Sequence, residues 1–273
     1  MSPADYGTDY HVHTARCGHA GGTMREYVEA ALSRGLSEIA FTDHLPLYFL
    51  PGDDPDPALA MTREELPGYV EEVLALKEEY RGRIDVLLGV EADYAEGHEA
   101  ALRELLAAHD WDVVLGSVHW VAGGWIDAPG GASRHEKEGT VFLWWEYWRL
   151  VTKACATGLF DVLTHLDLPK KFGNRMPESL AASEERAVEA ARAAGVAVEV
   201  SSAGLRKAVS EEYPAPPLLS KLVAAGVPVV FSSDAHAPAE VGWGRPQLAA
   251  AALRAGAREH LSFRRRERRR HPL

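Results

Sequence analysis

Apolar and polar positions follow a repeating order along this chain: a short, near-continuous apolar run, then a longer stretch with apolar residues three and four apart. Runs at residues 6–12, 37–42, 84–90, 112–118, 161–164, 196–201 and 227–232 predict seven strands. The helical period predicts helices over residues 24–34, 62–80, 96–109, 140–157, 178–194, 215–225 and 238–255. Gly35, Gly158, Gly195 and Gly226 close four of them, and Thr62-Arg-Glu-Glu65 has the form of a capping box. A Gly-rich loop runs through Gly123, Gly124, Gly130 and Gly131. Near-continuous apolar strands are covered on both faces, so repeated strand–helix units predict a parallel sheet, either closed into a barrel or open and doubly wound.

No shift in composition marks a linker, so the expectation is a single domain over residues 1–260 with a basic C-terminal tail over 261–273. Hydrophobic residues make up 47% of the 273, enough for a large core without disulfide or metal staples. The net charge of −11 argues against nucleic acid and anionic membranes as partners. Residues 264–270 carry six arginines against Glu267, and such an end is expected to be solvated or disordered. Two cysteines, Cys17 and Cys155, make no disulfide framework and suggest a reducing compartment. Residues 1–5 show no basic region followed by an apolar run, and no apolar stretch reaches the length of a membrane span. A cytoplasmic protein is expected, with a homo-oligomer left open.

The twelve histidines change the picture. His11 and His13 end the first predicted strand, His44 the second, His119 the fourth and His165 the fifth, and His236 follows the seventh. Glu91 ends the third strand, Asp234 stands just beyond the seventh, and His19 lies in the loop after the first. In a parallel barrel all these positions open onto one C-terminal rim, where active sites of such folds are built. His98, His109, His135, His260 and His271 fall elsewhere and carry no assigned role. Cys17 sits among the histidines and is read as a neighbour rather than a thiolate ligand. Strand alternation puts His11 and His13 on one face, able to grip one ion. Imidazole with carboxylate suits zinc, iron or manganese better than calcium or magnesium, and so many ligands exceed the needs of one ion.

His11-Val-His13, Thr42-Asp43-His44, Gly89-Val-Glu91, Ser117-Val-His119, His165-Leu-Asp167 and Ser233-Asp234-Ala-His236 occur in one order. This series resembles the polymerase and histidinol phosphatase (PHP) superfamily, from Asp9 to about His236. The resemblance implies a distorted (β/α)7 barrel with a cluster of three divalent ions. One ion would be held by His11, His13, Glu91 and Asp234, a second by Glu91, His119 and His165, and the third by His19, His44 and His236.

Two further stretches, His165-Leu-Asp-Leu-Pro-Lys-Lys-Phe-Gly173 and Ser201-Ser-Ala-Gly-Leu-Arg-Lys207 leading to Glu212-Tyr-Pro214, resemble the monofunctional histidinol-phosphate phosphatase branch. The implied substrate is a small phosphomonoester, L-histidinol phosphate, an intermediate of histidine biosynthesis. A phosphate dianion beside metals still needs cations on its outer oxygens, for which Arg206, Lys170 and Arg175 are the candidates, with Lys171 and Lys207 as solvent-facing companions. Glu91, His119 and Asp234 are expected to serve catalysis as ligands, and Asp43 as proton donor or as a group orienting a ligand imidazole, with Asp167 equally ambiguous. The alternatives are a phosphodiesterase or exonuclease of the same superfamily, a phosphatase for another small ester, an amidohydrolase, or a metal-binding module without catalysis.

Overall fold

A computed structural model describes residues 7–51 and 58–273 of the chain; Tyr6, the first residue of the first predicted strand, and residues 52–57 of the proline-containing loop lie outside them. Strands β1 (Thr8–Val12), β2 (Glu38–Phe41), β3 (Asp85–Asp93) and β4 (Val113–Ser117) are followed by a small hairpin, β5 (Trp120–Val121) and β6 (Gly124–Trp125). Strands β7 (Val162–Leu163), β8 (Ala197–Ser201) and β9 (Val229–Ser232) complete a seven-stranded parallel sheet in the order β1-β2-β3-β4-β7-β8-β9. A parallel bridge between Val12 and Ala235 joins the first edge to the last, with His13 N donating to Ala235 O at 2.9 Å. The sheet is thereby a distorted (β/α)7 barrel.

Helices α1 (Met24–Ser33), α2 (Leu66–Glu79), α3 (Glu99–Ala107), α4 (Gly131–Arg134), α5 (Thr140–Ala156), α6 (Ala181–Ala194), α7 (Pro216–Ala224) and α8 (Arg245–Ala255) cover it. The capping box Thr62–Glu65 forms, Thr62 N donating to Glu65 Oε2 (2.9 Å) and Glu65 N to Thr62 Oγ1 (3.2 Å), but it closes a turn ahead of α2 rather than the first turn of the helix. The expected start of the last helix at Pro238 is a separate 3-10 turn, Pro238–Glu240, seven residues ahead of Arg245. Of the α5 tryptophans expected in the core, Trp144 and Trp148 are buried, whereas Trp145 is exposed beside Phe142.

The basic C-terminus is not a solvated tail. Strands β10 (Glu259–Arg264) and β11 (Glu267–Pro272) form an antiparallel hairpin under the barrel. Leu261 and Phe263 join Tyr10, Ala40, Leu87, Val113, Leu115, Val162, Ala197 and Val230, at least one inward residue from each barrel strand, in a single buried cluster. The hairpin therefore plugs the end opposite the strands' C-termini. Its arginines meet acids and carbonyls on the barrel: Arg264 pairs with Glu38 (3.2 Å) and Asp85 (2.5 Å), Arg266 with Asp161 (2.9 Å), and Arg268 with Gly195 O.

Candidate metal centre

Local geometry begins with a bulge. Asp9 pairs with Ile39 but Val12 with Phe41, so β1 carries one extra residue between them. An extra residue reverses the in–out alternation. Tyr10 can therefore point into the plugged end of the barrel while His11 and His13, past the bulge, point into the open end. Gly89 on β3 stands two residues before Glu91; a Cβ there would lie 2.6 Å from Thr42 Cγ2 and 2.8 Å from Val113 Cγ1. Glycine thus lets β3 approach β2 and β4 where Glu91 must reach the barrel axis.

The side chains converge closely. His11 Nε2 and His13 Nε2 are 3.0 Å apart, and Glu91 Oε2 lies 3.1 Å from His11 Nε2, 3.1 Å from His44 Nδ1 and 3.6 Å from His13 Nε2. The second Glu91 oxygen lies 3.0 Å from His165 Nε2 and 3.8 Å from His119 Nε2. Asp234 Oδ1 is 3.1 Å from His13 Nε2. Glu91 Oε2 and Asp234 Oδ1 are buried yet accept no hydrogen bond of sound geometry, despite nitrogens at 3.1 Å. Buried carboxylate oxygens are seldom left so. Lone pairs directed at a common point, rather than at one another's protons, account for this arrangement, and a cation is what such a point accepts.

Three ligand-distance groups overlap the expected sets, while His13, His44 and Glu91 form another that crosses them. Ligand atoms of His11, His13 and Asp234, of Glu91, His119 and His165, and of His19, His44 and His236 each fall within 4.8 Å of one another. Burial pushes His44 down to about 3 and His236 to about 2, so both are neutral near pH 7 and offer lone pairs. Burial would raise the Glu91 carboxyl, but His11 and His119 beside it hold it well below the usual carboxylate range. Cys17 donates its thiol to Thr14 O (3.1 Å) and also lies in a ligand-distance group with His13 and His236.

A supporting layer holds these ligands, and most of it escaped the sequence. Glu199 on β8 takes His11 Nδ1 at 2.6 Å, the backbone N of His165 at 2.6 Å and the Ser232 hydroxyl. Asp93 faces His119 Nδ1 at 3.1 Å, which leaves His119 Nε2 for the centre. Asp9 accepts from Ser233 N (2.9 Å) and Gly242 N (2.7 Å), pinning the Asp234 loop. Two ligands sit in left-handed backbone, His165 at φ 26° and Asp234 at φ 53°. Such positions cost on the order of 1–3 kcal/mol each and persist only when the surroundings enforce them.

Arg206 supplies part of that enforcement. Its guanidinium donates to Ser233 O (2.8 Å) and Asp234 O (3.0 Å) and pairs with Glu240 (3.2 Å).

The centre opens into a cavity of about 700 Å³, within the range of small-molecule sites. The cations on its wall differ from those expected. Lys170 is 2% exposed and spent on Asp167 (3.0 Å), Glu211 (3.0 Å) and Glu212 O (2.7 Å). Arg175 points outward and pairs with Glu211. Neither of these, nor Arg206, lines the cavity, whereas Lys171 and Lys207, expected to face solvent, do.

Asp43 is also relocated. Fully buried, it accepts from Thr14 N (3.1 Å), Thr14 Oγ1 and His44 N (2.9 Å) and faces His13 Nδ1 at 3.4 Å. Burial would raise its carboxyl, yet His13 and Thr14 bring the balance below the usual value. Its lowered carboxyl and its place off the cavity wall suit a group that orients His13 and the His44 backbone better than a proton donor to substrate. Asp167, bonded to Ala215 N (2.8 Å) and Lys170, is likewise off the wall.

Comparison with known proteins agrees with this geometry. Residues 9–203 match the family model described as the PHP domain. A probable histidinol-phosphatase of Deinococcus radiodurans is 43% identical over 237 residues, covering 86% of this chain and 88% of the relative. A histidinol-phosphatase of Bacillus subtilis is 29% identical, covering 86% of this chain and 95% of its own. The crystal structure of a histidinol phosphate phosphatase from Lactococcus lactis, complexed with zinc, L-histidinol and phosphate, superposes with a TM-score of 0.76. It is 19% identical, and the match covers 96% of this chain and 98% of that one. On the family match over most of its length and the 43% identity to the Deinococcus relative, the chain belongs to the PHP domain family.

Proposed function

We infer that the protein is a metal-dependent phosphomonoester hydrolase that converts L-histidinol phosphate and water to L-histidinol and phosphate. The observation that carries the chemistry is Glu91, whose two buried oxygens face two different imidazole sets, the arrangement a bridging carboxylate requires. The 43% identity to a probable histidinol-phosphatase supports the substrate.

The residues proposed to hold three ions are His11, His13, Glu91 and Asp234; Glu91, His119 and His165; and His19, His44 and His236. When bound, divalent ions of the zinc, iron or manganese type supply Lewis-acid charge to phosphoryl oxygens and an acidified water as nucleophile. Around them the chain does the positioning. Lys207 on the wall complements phosphate charge, while Lys171, also on the wall, is paired with Asp127 at 3.0 Å. Arg206 fixes the Asp234 backbone, and Glu199 and Asp93 set which imidazole nitrogens face the centre.

The same cavity fits an alcohol bearing an amine and an imidazole. Asp127 on its wall is a carboxylate outside the metal groups. Lys171 pairs with its Oδ2 at 3.0 Å, and against burial His119 and Lys171 bring its carboxyl to about 2, so it stays ionised with Oδ1 left for a substrate ammonium. Trp125, also on the wall, belongs to an aromatic group with Trp120 and Phe49 and offers a face to an imidazole.

The test is a side-by-side assay of the metal-loaded protein on histidinol phosphate, a nucleoside monophosphate and single-stranded DNA. Histidinol phosphate should lead the other two in kcat/KM by at least about a hundredfold, since only that substrate brings an ammonium to Asp127. Equal or better turnover of DNA would replace this reading with a nuclease.

A further inference from the structure

Tyr213 is an anomaly that the metal groups leave unexplained. It is 1% exposed and lines the cavity, yet its hydroxyl has no hydrogen-bond partner. A phenol is a donor at neutral pH, and a buried donor without an acceptor is destabilising by a sizeable fraction of a folded protein's margin. Such groups are rare and call for an explanation in what the site binds.

Everything around the ring holds it in this position. Tyr213 N donates to Ser201 O (3.1 Å) and Tyr213 O accepts from Ser201 N (2.7 Å), so the residue is bridged to the C-terminal end of β8. At Gly204 a Cβ would come within 2.0 Å of Glu211 O, so only glycine lets the 211–213 segment lie against the turn after β8. The Lys170 ammonium sits 5.0 Å from the Tyr213 ring centroid, itself fixed by Asp167 and Glu211. The ligand imidazole of His165 stands edge-on at 6.3 Å. The buried Lys170 network, which never reaches the cavity, is a clamp on this ring.

We propose that Tyr213 is a substrate-binding residue whose hydroxyl donates a hydrogen bond to an oxygen of the phosphoryl group in the cavity. The inference rests on the phosphomonoesterase reading and names a contact within that site. A phosphoryl oxygen that contacts a metal still has lone pairs for a hydrogen bond, and the clamped ring offers its donor with little further ordering.

The experiment compares wild type with Tyr213→Phe, both metal-loaded, using inorganic phosphate as the probe. Calorimetry gives its Kd, thermal denaturation the Tm without phosphate, and elemental analysis the metal content. The expected result is a phosphate Kd weakened about tenfold or more, with metal content unchanged and the phosphate-free Tm equal to wild type or higher. A purely structural hydroxyl would lower that Tm by several degrees, and this outcome overturns the proposal. So does a Kd within twofold of wild type, or a loss of metal. Failure of the underlying reading looks different: the wild type itself would then hydrolyse no phosphomonoester.

Discussion

Glu91→Gln should reduce kcat for histidinol phosphate by at least about a thousandfold and lower the metal content of the purified protein. The expected size follows from position. One Glu91 oxygen faces His11 and His44 at 3.1 Å and the other faces His165 at 3.0 Å, so a single substitution weakens two metal groups together. Loss of one pre-arranged electrostatic contact typically costs about 10²–10³ in kcat, and the loss of a bridging ligand should reach or exceed the upper figure. Glutamine keeps the shape and removes the charge, so the fold should persist, and circular dichroism should match wild type. Metal content and kcat both within tenfold of wild type would mean that Glu91 does not bridge.

Phe263→Ala should have the largest effect on stability, and it acts from the opposite end of the barrel. Phe263 is fully buried, packs edge-to-face on Tyr10 at 6.0 Å between ring centroids, and donates its backbone N–H to the Tyr10 hydroxyl at 2.9 Å. Removing a buried aromatic ring costs about 3–5 kcal/mol. For a chain of this size that is a Tm drop of about 10 °C. Scanning calorimetry checks it, and kcat at 25 °C should stay within about threefold, because the plug touches no metal ligand. A Tm loss under about 2 °C would show that the hairpin covers the barrel without supporting it.

That plug was hidden in the sequence by its own charge. Residues 264–270 are dense in arginine, and the apolar alternation beside them is only Leu261 and Phe263. Which acids would receive those arginines depends on Glu38, Asp85 and Asp161 standing together at one end of three strands. No local pattern reports such a long-range arrangement. The strands themselves were legible because being buried on both faces leaves near-continuous apolar runs, and the ligands because they cluster at the ends of those runs.

Glu199 was legible in principle. It is an acid in the middle of the apolar run 196–200, and a charge there needs a buried partner. The cavity cations were not legible. Lys170 and Lys171 are neighbours in sequence, and only the left-handed turn at Asp167 and the short helical turn after it decide which one is buried. Arg206 looked like a phosphate ligand from its chemistry, but the carbonyls of Ser233 and Asp234 take its donors.

The most direct test of the account is to strip the protein of metal and add zinc or manganese back in measured equivalents while following hydrolysis of histidinol phosphate. Activity should be absent from the stripped protein, rise as metal is added and level off near three equivalents per chain. Full activity in the stripped protein, or a plateau at or below one equivalent, would contradict the assignment of these nine residues to a catalytic metal cluster.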